Sequence, residues 1–348
     1  MMSAENPLGL NGFEFVEFTS PDPDAMARQF EQLGFVASHQ HPRKNITRYK
    51  QGGINLMLNR DDIGRVAKFR AEHGPSASAM AFRVADPAKA LEWALAHGAK
   101  ATEEDDTVIE GIGGSYLYFI KDGDDLYAEW TEIPGWREEE ATNNVGLETL
   151  DHLTHNVRRG QMRVWSEFYK TLFNFEEQKY FDIKGQATGL FSQAMIAPDK
   201  AIRIPLNESQ DDKSQIEEFI REYHGEGIQH LALTTDDIYD TVERLRARGV
   251  RLQDTIETYY ELVDKRVPGH GEDLERLKKN RILIDGNVGE EGILLQIFTE
   301  NMFGPIFFEI IQRKGNEGFG NGNFQALFES IELDQIRRGV IKVDEPAE

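Results

Sequence analysis

The sequence contains no cysteine among its 348 residues. A chain without cysteine has no disulfide framework, no thiolate metal site and no cysteine nucleophile. Basic residues are also outnumbered, with 39 Lys and Arg against 61 Asp and Glu, which gives a formal net charge of -22. Because such a chain repels polyphosphate and anionic membrane surfaces, we expect neither a nucleic-acid partner nor a membrane partner.

Long apolar runs are missing as well. No run approaches the roughly 20 residues that cross a bilayer. The first residues, MMSAENPLGL, lack the cationic and apolar regions of a secretory signal peptide. Hydrophobic residues still make up 39% of the chain, enough to bury a core. We therefore expect an acidic, soluble and cytoplasmic globular protein, whose length suggests two domains.

An internal repeat is the strongest pattern in the sequence. Residues 76–99 (SASAMAFRVADPAKALEWALAHGA) and 227–250 (GIQHLALTTDDIYDTVERLRARGV) align without a gap. Each segment begins with a strand-like run, passes an acidic residue (Asp86 or Asp237) and continues into an amphipathic helix. Each helix ends at a glycine, the usual left-handed residue that stops a helix. The alignment predicts the same strand–helix unit twice.

Two weaker correspondences extend the repeat. Residues 12–35 resemble residues 150–175, each as a strand, a loop and a helix. Residues 125–133 (DLYAEWTEI) resemble residues 305–313 (PIFFEIIQR), and both are predicted to be strands with a central glutamate. The chain is thus predicted to consist of two similar halves, each built from strand–helix–strands units.

The two predicted domains cover residues 1–141 and 149–348. They meet at a polar linker, ATNNVGLE, which carries Asn-Asn and Gly as a domain boundary should. The segment 259–280 is predicted to be an irregular, charged insertion. Glycines recur through 315–323, but the segment lacks the GK[ST] of a phosphate-binding loop. We interpret it as a flexible hinge for a helical tail, from Phe324 onward, that covers the site as a lid.

The duplication also gives a test for site residues, since scaffold residues should recur and site residues need not. His152, His230 and Glu309 lie on three predicted strands of the second half. The first half has other residues at the matching positions: Glu14, Ala79 and Glu129. A fold that forms without these histidines in one copy does not need them for packing in the other. Two imidazoles and one carboxylate are a ligand set for non-haem Fe(II) with open coordination positions.

The other histidines have no such support. His155 is expected to face away from His152, because side chains alternate along a strand. We interpret it as structural or loop-facing. The rest are predicted to lie at the surface: His39, His41, His73, His97, His224 and His270.

Short motifs along the whole chain carry a family resemblance. They include DHLTHNV (151–157), GIQHLAL (227–233), FFEIIQR (307–313) and GFGNGNF (318–324). Through these motifs, taken together and in order, the sequence resembles the 4-hydroxyphenylpyruvate dioxygenases of the vicinal oxygen chelate superfamily. The resemblance covers essentially the whole chain and is densest after residue 150.

The resemblance implies an α+β fold of two tandem vicinal-oxygen-chelate barrels, made of repeated βαβββ modules, with a C-terminal helix closing the active site. The N-terminal barrel would be structural and the C-terminal barrel catalytic, with Fe(II) bound by His152, His230 and Glu309. Bacterial-type members of the family associate as tetramers or dimers, so the resemblance implies that this chain forms a homo-oligomer of one of these sizes. The substrate pocket implied by the family consists of Ser192, Asn207, Gln215, Gln229, Gln296, Phe298, Phe319, Phe324 and Phe328. Of these, catalytic roles fall to Gln229, Gln296 and Asn207.

The implied reaction converts 4-hydroxyphenylpyruvate and O2 to homogentisate and CO2 in tyrosine catabolism. It combines decarboxylation, ring hydroxylation and side-chain migration. One alternative is a 4-hydroxymandelate synthase, which oxidises the same substrate at the benzylic carbon. Another is a non-catalytic ligand-binding member of the same fold, and a third is a secreted lytic or pigment-related factor.

Overall fold

The computed structural model describes residues 6–103, 107–184, 189–323 and 325–327. Within these ranges the strands form two mixed sheets of eight strands each, which follow one another along the chain. This agrees with the prediction of an α+β fold with two similar halves.

The first sheet has the strand order β6-β7-β5-β1-β4-β3-β2-β8. Strand β1 runs parallel to β4 and antiparallel to β5. Its strands are β1 (Phe13–Thr19), β2 (Val36–Gln40), β3 (Ile46–Gln51), β4 (Ile54–Asn59), β5 (Ser76–Val84), β6 (Val108–Glu110), β7 (Tyr116–Lys121) and β8 (Thr131–Glu132). Its helices are α1 (Pro23–Gln32), α2 (Gly64–His73), α3 (Pro87–Ala96) and α4 (Trp136–Asn143), with a 3-10 turn at Ile112–Gly114.

The second sheet has the order β10-β11-β12-β9-β13-β16-β15-β14. Its strands are β9 (Leu147–Val157), β10 (Glu176–Lys184), β11 (Gly189–Ile196), β12 (Arg203–Ser209), β13 (Gly227–Thr235), β14 (Leu283–Asn287), β15 (Gly292–Phe298) and β16 (Phe307–Lys314). Its helices are α5 (Met162–Phe173), α6 (Gln215–Glu222), α7 (Ile238–Ala247), α8 (Glu257–Glu261), α9 (Val263–Arg266) and α10 (Leu274–Asn280). The segment predicted to be an irregular insertion thus contains three short helices.

The repeated strand–helix unit is confirmed at β5–α3 and β13–α7. The carboxylate of Asp86 accepts a hydrogen bond from a backbone N–H in the first turn of α3, and Asp237 does the same for α7. An aspartate at this position satisfies N–H groups that have no partner within the helix. The chain leaves both helices through glycines with positive φ, Gly98 at 95° and Gly249 at 82°.

Aromatic side chains fix the helices on the sheets. Phe30 of α1 packs edge-to-face on Phe18 of β1, with ring centroids 5.5 Å apart. Phe173 of α5 packs in the same way on Phe82 of β5, at 5.4 Å. Such pairs bury a large apolar area and have a preferred geometry, so they define where each helix lies.

Packing groups the chain into two compact units. One unit runs to Leu233 and includes Asn301–Phe308, and the other comprises Thr234–Glu300 and the residues from Glu309 onward. The predicted domain ranges, 1–141 and 149–348, stay a prediction.

The strand predicted over residues 125–133 is wrong. Residues 126–130 form a turn, and only Thr131–Glu132 pair with β2. The carboxylate of Asp125 accepts a hydrogen bond from the N–H of Tyr127 at 3.1 Å, and such a local bond favours a turn over an extended strand. By position in the sheet, the counterpart of β16 is β7, which lies beside β5 as β16 lies beside β13. Glu129 is exposed in the turn and is not the counterpart of Glu309.

The first residues of the predicted linker are helical, since α4 continues to Asn143, with Glu138 and Glu139 in its first turn, where acidic side chains favour a helix. One smaller expectation is corrected. His73 is buried and not at the surface: its ring stacks on that of Tyr223 at 4.6 Å. In the part of the chain that the structure describes, no helix is long and apolar enough to cross a membrane.

Candidate metal centre

Two histidine side chains meet inside the second sheet. His152 lies on β9 and His230 on β13, with ring centroids 5.5 Å apart and ring planes at 75°. They are 2% and 8% exposed. Burying a polar ring is unfavourable unless its nitrogens have partners, so each imidazole requires an explanation.

A charged pair holds His152. Its Nδ1 lies 2.8 Å from Oδ2 of Asp151, and Arg203 donates to Oδ1 of the same carboxylate at 3.1 Å. A carboxylate accepts hydrogen bonds and does not donate them when ionised, which places the proton of His152 on Nδ1. This tautomer presents the lone pair of Nε2, as ligating histidines do when the other nitrogen is held by a carboxylate.

His230 is held in the same way by a neutral group. Its Nδ1 lies 3.0 Å from Oε1 of Gln229, the residue that precedes it. Its Nε2 lies 3.1 Å from the hydroxyl of Thr154 on β9, and the ring of Phe307 stacks on it at 4.8 Å. Both imidazoles are thus oriented through Nδ1 by the preceding residue, one by a carboxylate and one by an amide.

The third predicted ligand, Glu309, lies on β16 directly opposite Phe298 of β15, and it is 2% exposed. One ligand atom from each of His152, His230 and Glu309 lies within 4.8 Å of the other two. Three ligands bonded at about 2.0–2.2 Å on one side of a first-row metal lie about 3 Å apart, so the three atoms would move closer together when they bind one ion. Two neutral imidazoles and one carboxylate therefore fit a divalent metal with positions left for other ligands.

Two of the predicted pocket residues lie next to each other across two strands. Ser192 of β11 pairs directly with Asn207 of β12. Both side chains are half-buried. Directly opposite residues share one face of a sheet, so the hydroxyl and the amide lie side by side.

Gln296 and Phe298 lie two residues apart on β15 and therefore on the same face. Gln296 is 3% exposed, and its Oε1 has no hydrogen-bond partner among the described residues. Gly320 lies against this amide with φ +70°, and a Cβ at that position would come within 1.6 Å of Oε1. Gln296 is thus a buried acceptor whose position depends on a glycine.

The glycine-rich segment is tied to the sheet, which disagrees with the flexible hinge that we predicted. Arg313 donates to the carbonyl oxygens of Asn316 and Gly318 at 2.9 and 2.7 Å. The N–H of Gly322 donates to Asp285 at 2.8 Å, and the hydroxyl of Tyr259 donates to Asn323 at 2.6 Å. Here the glycines permit positive φ and close backbone approach.

The remaining pocket residues are more scattered. Gln215 is exposed at the first residue of α6. Phe319 is half-buried, with the guanidinium of Arg313 6.0 Å from its ring centroid. Phe324 and Phe328, with most of the predicted lid, lie outside the described residues. Gln229 contacts His230, as described above.

His155 faces away from His152, as predicted. It is fully buried, and its Nε2 forms a 2.7 Å hydrogen bond with the hydroxyl of Tyr169 on α5. Burial lowers the pKa of His155 from its ordinary 6.5 to about 3, so the ring is neutral at physiological pH. A neutral imidazole on the helix side of the sheet has a structural role.

Two polar residues near the centre were not predicted. Asp151 orients His152, and Asn156 lies on the same strand four residues beyond it. The sequence contains a pattern that could have indicated each of these two residues. Each proposed histidine ligand follows a residue with an acceptor oxygen, and the alternate residues of DHLTHN are His, Thr and Asn.

Comparison with known proteins identifies the family. The model for the N-terminal part of hydroxyphenylpyruvate dioxygenase matches residues 4–131. The model for the glyoxalase, bleomycin resistance protein and dioxygenase superfamily matches residues 149–262. The 4-hydroxyphenylpyruvate dioxygenase of Pseudomonas aeruginosa is 56% identical over 349 residues, which cover 97% of each chain. The chain belongs to the 4-hydroxyphenylpyruvate dioxygenase family.

Three further proteins are similar to nearly the whole chain. The 4-hydroxyphenylpyruvate dioxygenase of Legionella pneumophila is 50% identical, over 98% of this chain and 99% of the relative. Hemolysin VllY of Vibrio vulnificus is 53% identical, over 98% and 99%. Among solved structures, a triple mutant of 4-hydroxymandelate synthase from Streptomyces coelicolor superposes with a TM-score of 0.81 at 25% identity, over 94% of this chain and all of that one.

Proposed function

We propose that the chain is an Fe(II)-dependent dioxygenase that converts 4-hydroxyphenylpyruvate and O2 to homogentisate and CO2 in tyrosine catabolism. The observation that carries the proposal is the buried group of His152, His230 and Glu309. The names of several relatives with 48–56% identity support the choice of substrate.

The donor set is one that non-haem Fe(II) sites use. Imidazole nitrogens and a carboxylate oxygen suit ferrous iron, whereas softer metals prefer the thiolates that this chain lacks. One carboxylate leaves a dication with a net charge of +1, which attracts the anionic substrate. Bound Fe(II) would supply the coordination of the α-keto acid and the activation of O2.

The protein's own groups orient and shield this chemistry. Asp151 keeps the proton of His152 on Nδ1, and Gln229 does the same for His230. The buried amide of Gln296 lies on the face that borders the substrate, and Phe298 beside it contacts the aromatic ring. Offset or edge-to-face contacts with an aromatic ring are worth about 0.5–1.5 kcal/mol beyond the area that they bury.

The proposed reaction needs no added reductant. The α-keto acid part of the substrate supplies the electrons as it loses CO2, so one CO2 leaves for each O2 consumed. One oxygen atom enters the new carboxylate and the other the ring. We therefore expect turnover without 2-oxoglutarate.

A second candidate function is 4-hydroxymandelate synthesis. The structural similarity to the 4-hydroxymandelate synthase of Streptomyces coelicolor supports this alternative. That product is an isomer of homogentisate formed from the same substrate. The much higher identity to proteins named 4-hydroxyphenylpyruvate dioxygenase favours ring hydroxylation.

The deciding experiment is anaerobic reconstitution with Fe(II), addition of 4-hydroxyphenylpyruvate and then of air, with the product identified by NMR. We expect homogentisate with one CO2 per O2. If the product were 4-hydroxymandelate, the proposed metal centre would still hold, but the proposed position of hydroxylation would be wrong. The absence of O2 uptake by metal-loaded protein would indicate a ligand-binding protein.

A further inference from the structure

One face of β9 lines the interior of the metal centre. His152 is a proposed ligand, and the hydroxyl of Thr154 lies 3.1 Å from Nε2 of His230. Since side chains alternate between the two faces of a strand, Asn156 shares the face of these residues. His155, on the opposite face, contacts helix α5. Asn156 therefore points to the same interior as the proposed ligands.

The amide of Asn156 is completely buried, at 0% exposure. Within the part of the chain that the structure describes, neither its Oδ1 nor its Nδ2 has a hydrogen-bond partner. Such a group is unfavourable in a folded protein, because it has given up its hydrogen bonds to water. Native proteins keep few of them, and each one calls for an explanation, such as a functional role or a bound water or ion.

Asn156 continues a row of polar groups across three strands. It pairs directly with Asn207 of β12, and Asn207 pairs directly with Ser192 of β11. Both partners are residues that the family resemblance places in the substrate pocket. Residues directly opposite one another lie on the same face, so the row extends that pocket to β9.

The spacing along β9 leaves room for a substrate between the metal ligand and this amide. Four residues of strand span about 13 Å at about 3.3 Å each. A carboxamide offers one acceptor and one donor group, and a phenolic hydroxyl offers one donor and one acceptor. The two groups can satisfy each other reciprocally, which a carboxylate or an ammonium cannot do with a phenol in the same way.

We propose that Asn156 binds the ring hydroxyl of the substrate and selects hydroxylated over unsubstituted aryl keto acids. Its Nδ2 donates to the hydroxyl oxygen, and its Oδ1 accepts the hydroxyl proton. The inference rests on the proposed function, since it assumes an aromatic α-keto acid whose other end lies at the metal. It makes Asn156 a specificity-determining residue of the pocket.

The test compares the binding of two acids that differ only in that hydroxyl. The dissociation constants of 4-hydroxyphenylpyruvate and phenylpyruvate are measured by anaerobic calorimetry with Fe(II)-loaded wild type and Asn156→Leu. Leucine keeps the branching at Cγ and removes both polar atoms. Asn156→Ser is a second variant in case leucine disturbs folding. Val157→Ala, which removes packing on the other face of β9, controls for general loosening of the strand.

We expect the wild type to prefer the hydroxylated acid and Asn156→Leu to lose that preference. Binding of 4-hydroxyphenylpyruvate should weaken at least about 10-fold, because a site built to hydrogen-bond a hydroxyl depends strongly on that bond. Binding of phenylpyruvate should change less than about 3-fold, and Fe(II) content should stay at the wild-type level. Equal affinity of the wild type for both acids, or an equal loss for both acids in the variant, would overturn the inference. Product analysis of the wild type tests the proposed function separately.

Discussion

Asp151 and His152 are neighbours in the chain, and their side chains are hydrogen-bonded to each other, with Oδ2 of the carboxylate 2.8 Å from Nδ1 of the imidazole. Their side chains are 3% and 2% exposed. Arg203, 12% exposed, completes the group from β12 and offsets the charge of the carboxylate. A buried carboxylate is unfavourable without such a partner. The pair therefore fixes both the orientation and the protonation of one proposed metal ligand.

We predict that Asp151→Asn weakens metal binding. A neutral amide accepts the Nδ1 proton more weakly than a carboxylate does, and weakening an outer partner of a ligating histidine typically lowers metal affinity about 10–100-fold. The measurement is the Fe(II) dissociation constant, from competition with a chelator of known affinity. Asp240→Asn on α7 removes an exposed carboxylate that pairs with Arg244 and should leave the constant unchanged. An unchanged constant in Asp151→Asn would contradict this role.

His155 should make the protein less stable in acid. Burial lowers its pKa to about 3 in the folded state from 6.5. Between these values the unfolded chain binds the extra proton, so the stabilisation is fully present above pH 6.5 and declines as the pH falls towards 3. Near pH 5 the loss is about 2 kcal/mol. In His155→Gln the free energy of unfolding should depend less on pH over this window.

The measurement for His155 is urea unfolding at several pH values. Val157→Ala, a packing change on the same strand without a titratable group, should lower the stability and leave its pH dependence unchanged. Equal pH dependence in wild type and His155→Gln would show that the imidazole does not titrate as proposed.

Gly320→Ala should impair substrate binding and spare the metal. A Cβ at this position would lie 1.6 Å from Oε1 of Gln296, and the φ of +70° disfavours alanine as well. The displaced amide should raise the KM for 4-hydroxyphenylpyruvate about 10-fold or more, because small misplacements in a site have large effects. Gly289→Ala, where the nearest atom would be 3.6 Å from the Cβ, is the matched control. A wild-type KM in Gly320→Ala would argue against a role for Gln296.

The cap of α7 gives a prediction about stability alone. The carboxylate of Asp237 accepts hydrogen bonds from the N–H groups of Tyr239 and Asp240, each at 3.1 Å. Asp237→Ala should lower the free energy of unfolding by about 1 kcal/mol. Asp236→Ala, at the exposed neighbouring residue, should have little effect in the same denaturation experiment. Equal losses in the two variants would show that the cap contributes nothing specific.

The repeat explains why so much of the fold was predictable from the sequence. The gapless match of 76–99 with 227–250 carries its own cap and stop signals, which are local, so α3 and α7 were placed correctly. The match of 125–133 with 305–313 rested on a central glutamate alone. Composition favoured a strand there, but the side chain of Asp125 bonds locally and produces a turn. A pattern of residue types does not show whether the local hydrogen bond of a turn or the extended strand is favoured.

The proposed ligands were predictable because a missing histidine in one copy is visible in an alignment of the halves. Asn156 was missed for a different reason. Its place in DHLTHN shows the face that it shares with His152, but only the strand register shows its pairing with Asn207. Burial without a partner is likewise a property of the packed structure. His73 was placed at the surface because no local pattern shows that Tyr223, 150 residues later, stacks on it.

Three strands of the second sheet are proposed to assemble one Fe(II) site. The most direct test is the iron content of the wild type, His152→Ala, His230→Ala and Glu309→Ala after anaerobic loading and desalting, with circular dichroism to confirm folding. We expect one Fe(II) per wild-type chain, and little iron and no O2 uptake in the three variants. A folded His230→Ala that keeps one Fe(II) and turns over at the wild-type rate would contradict it.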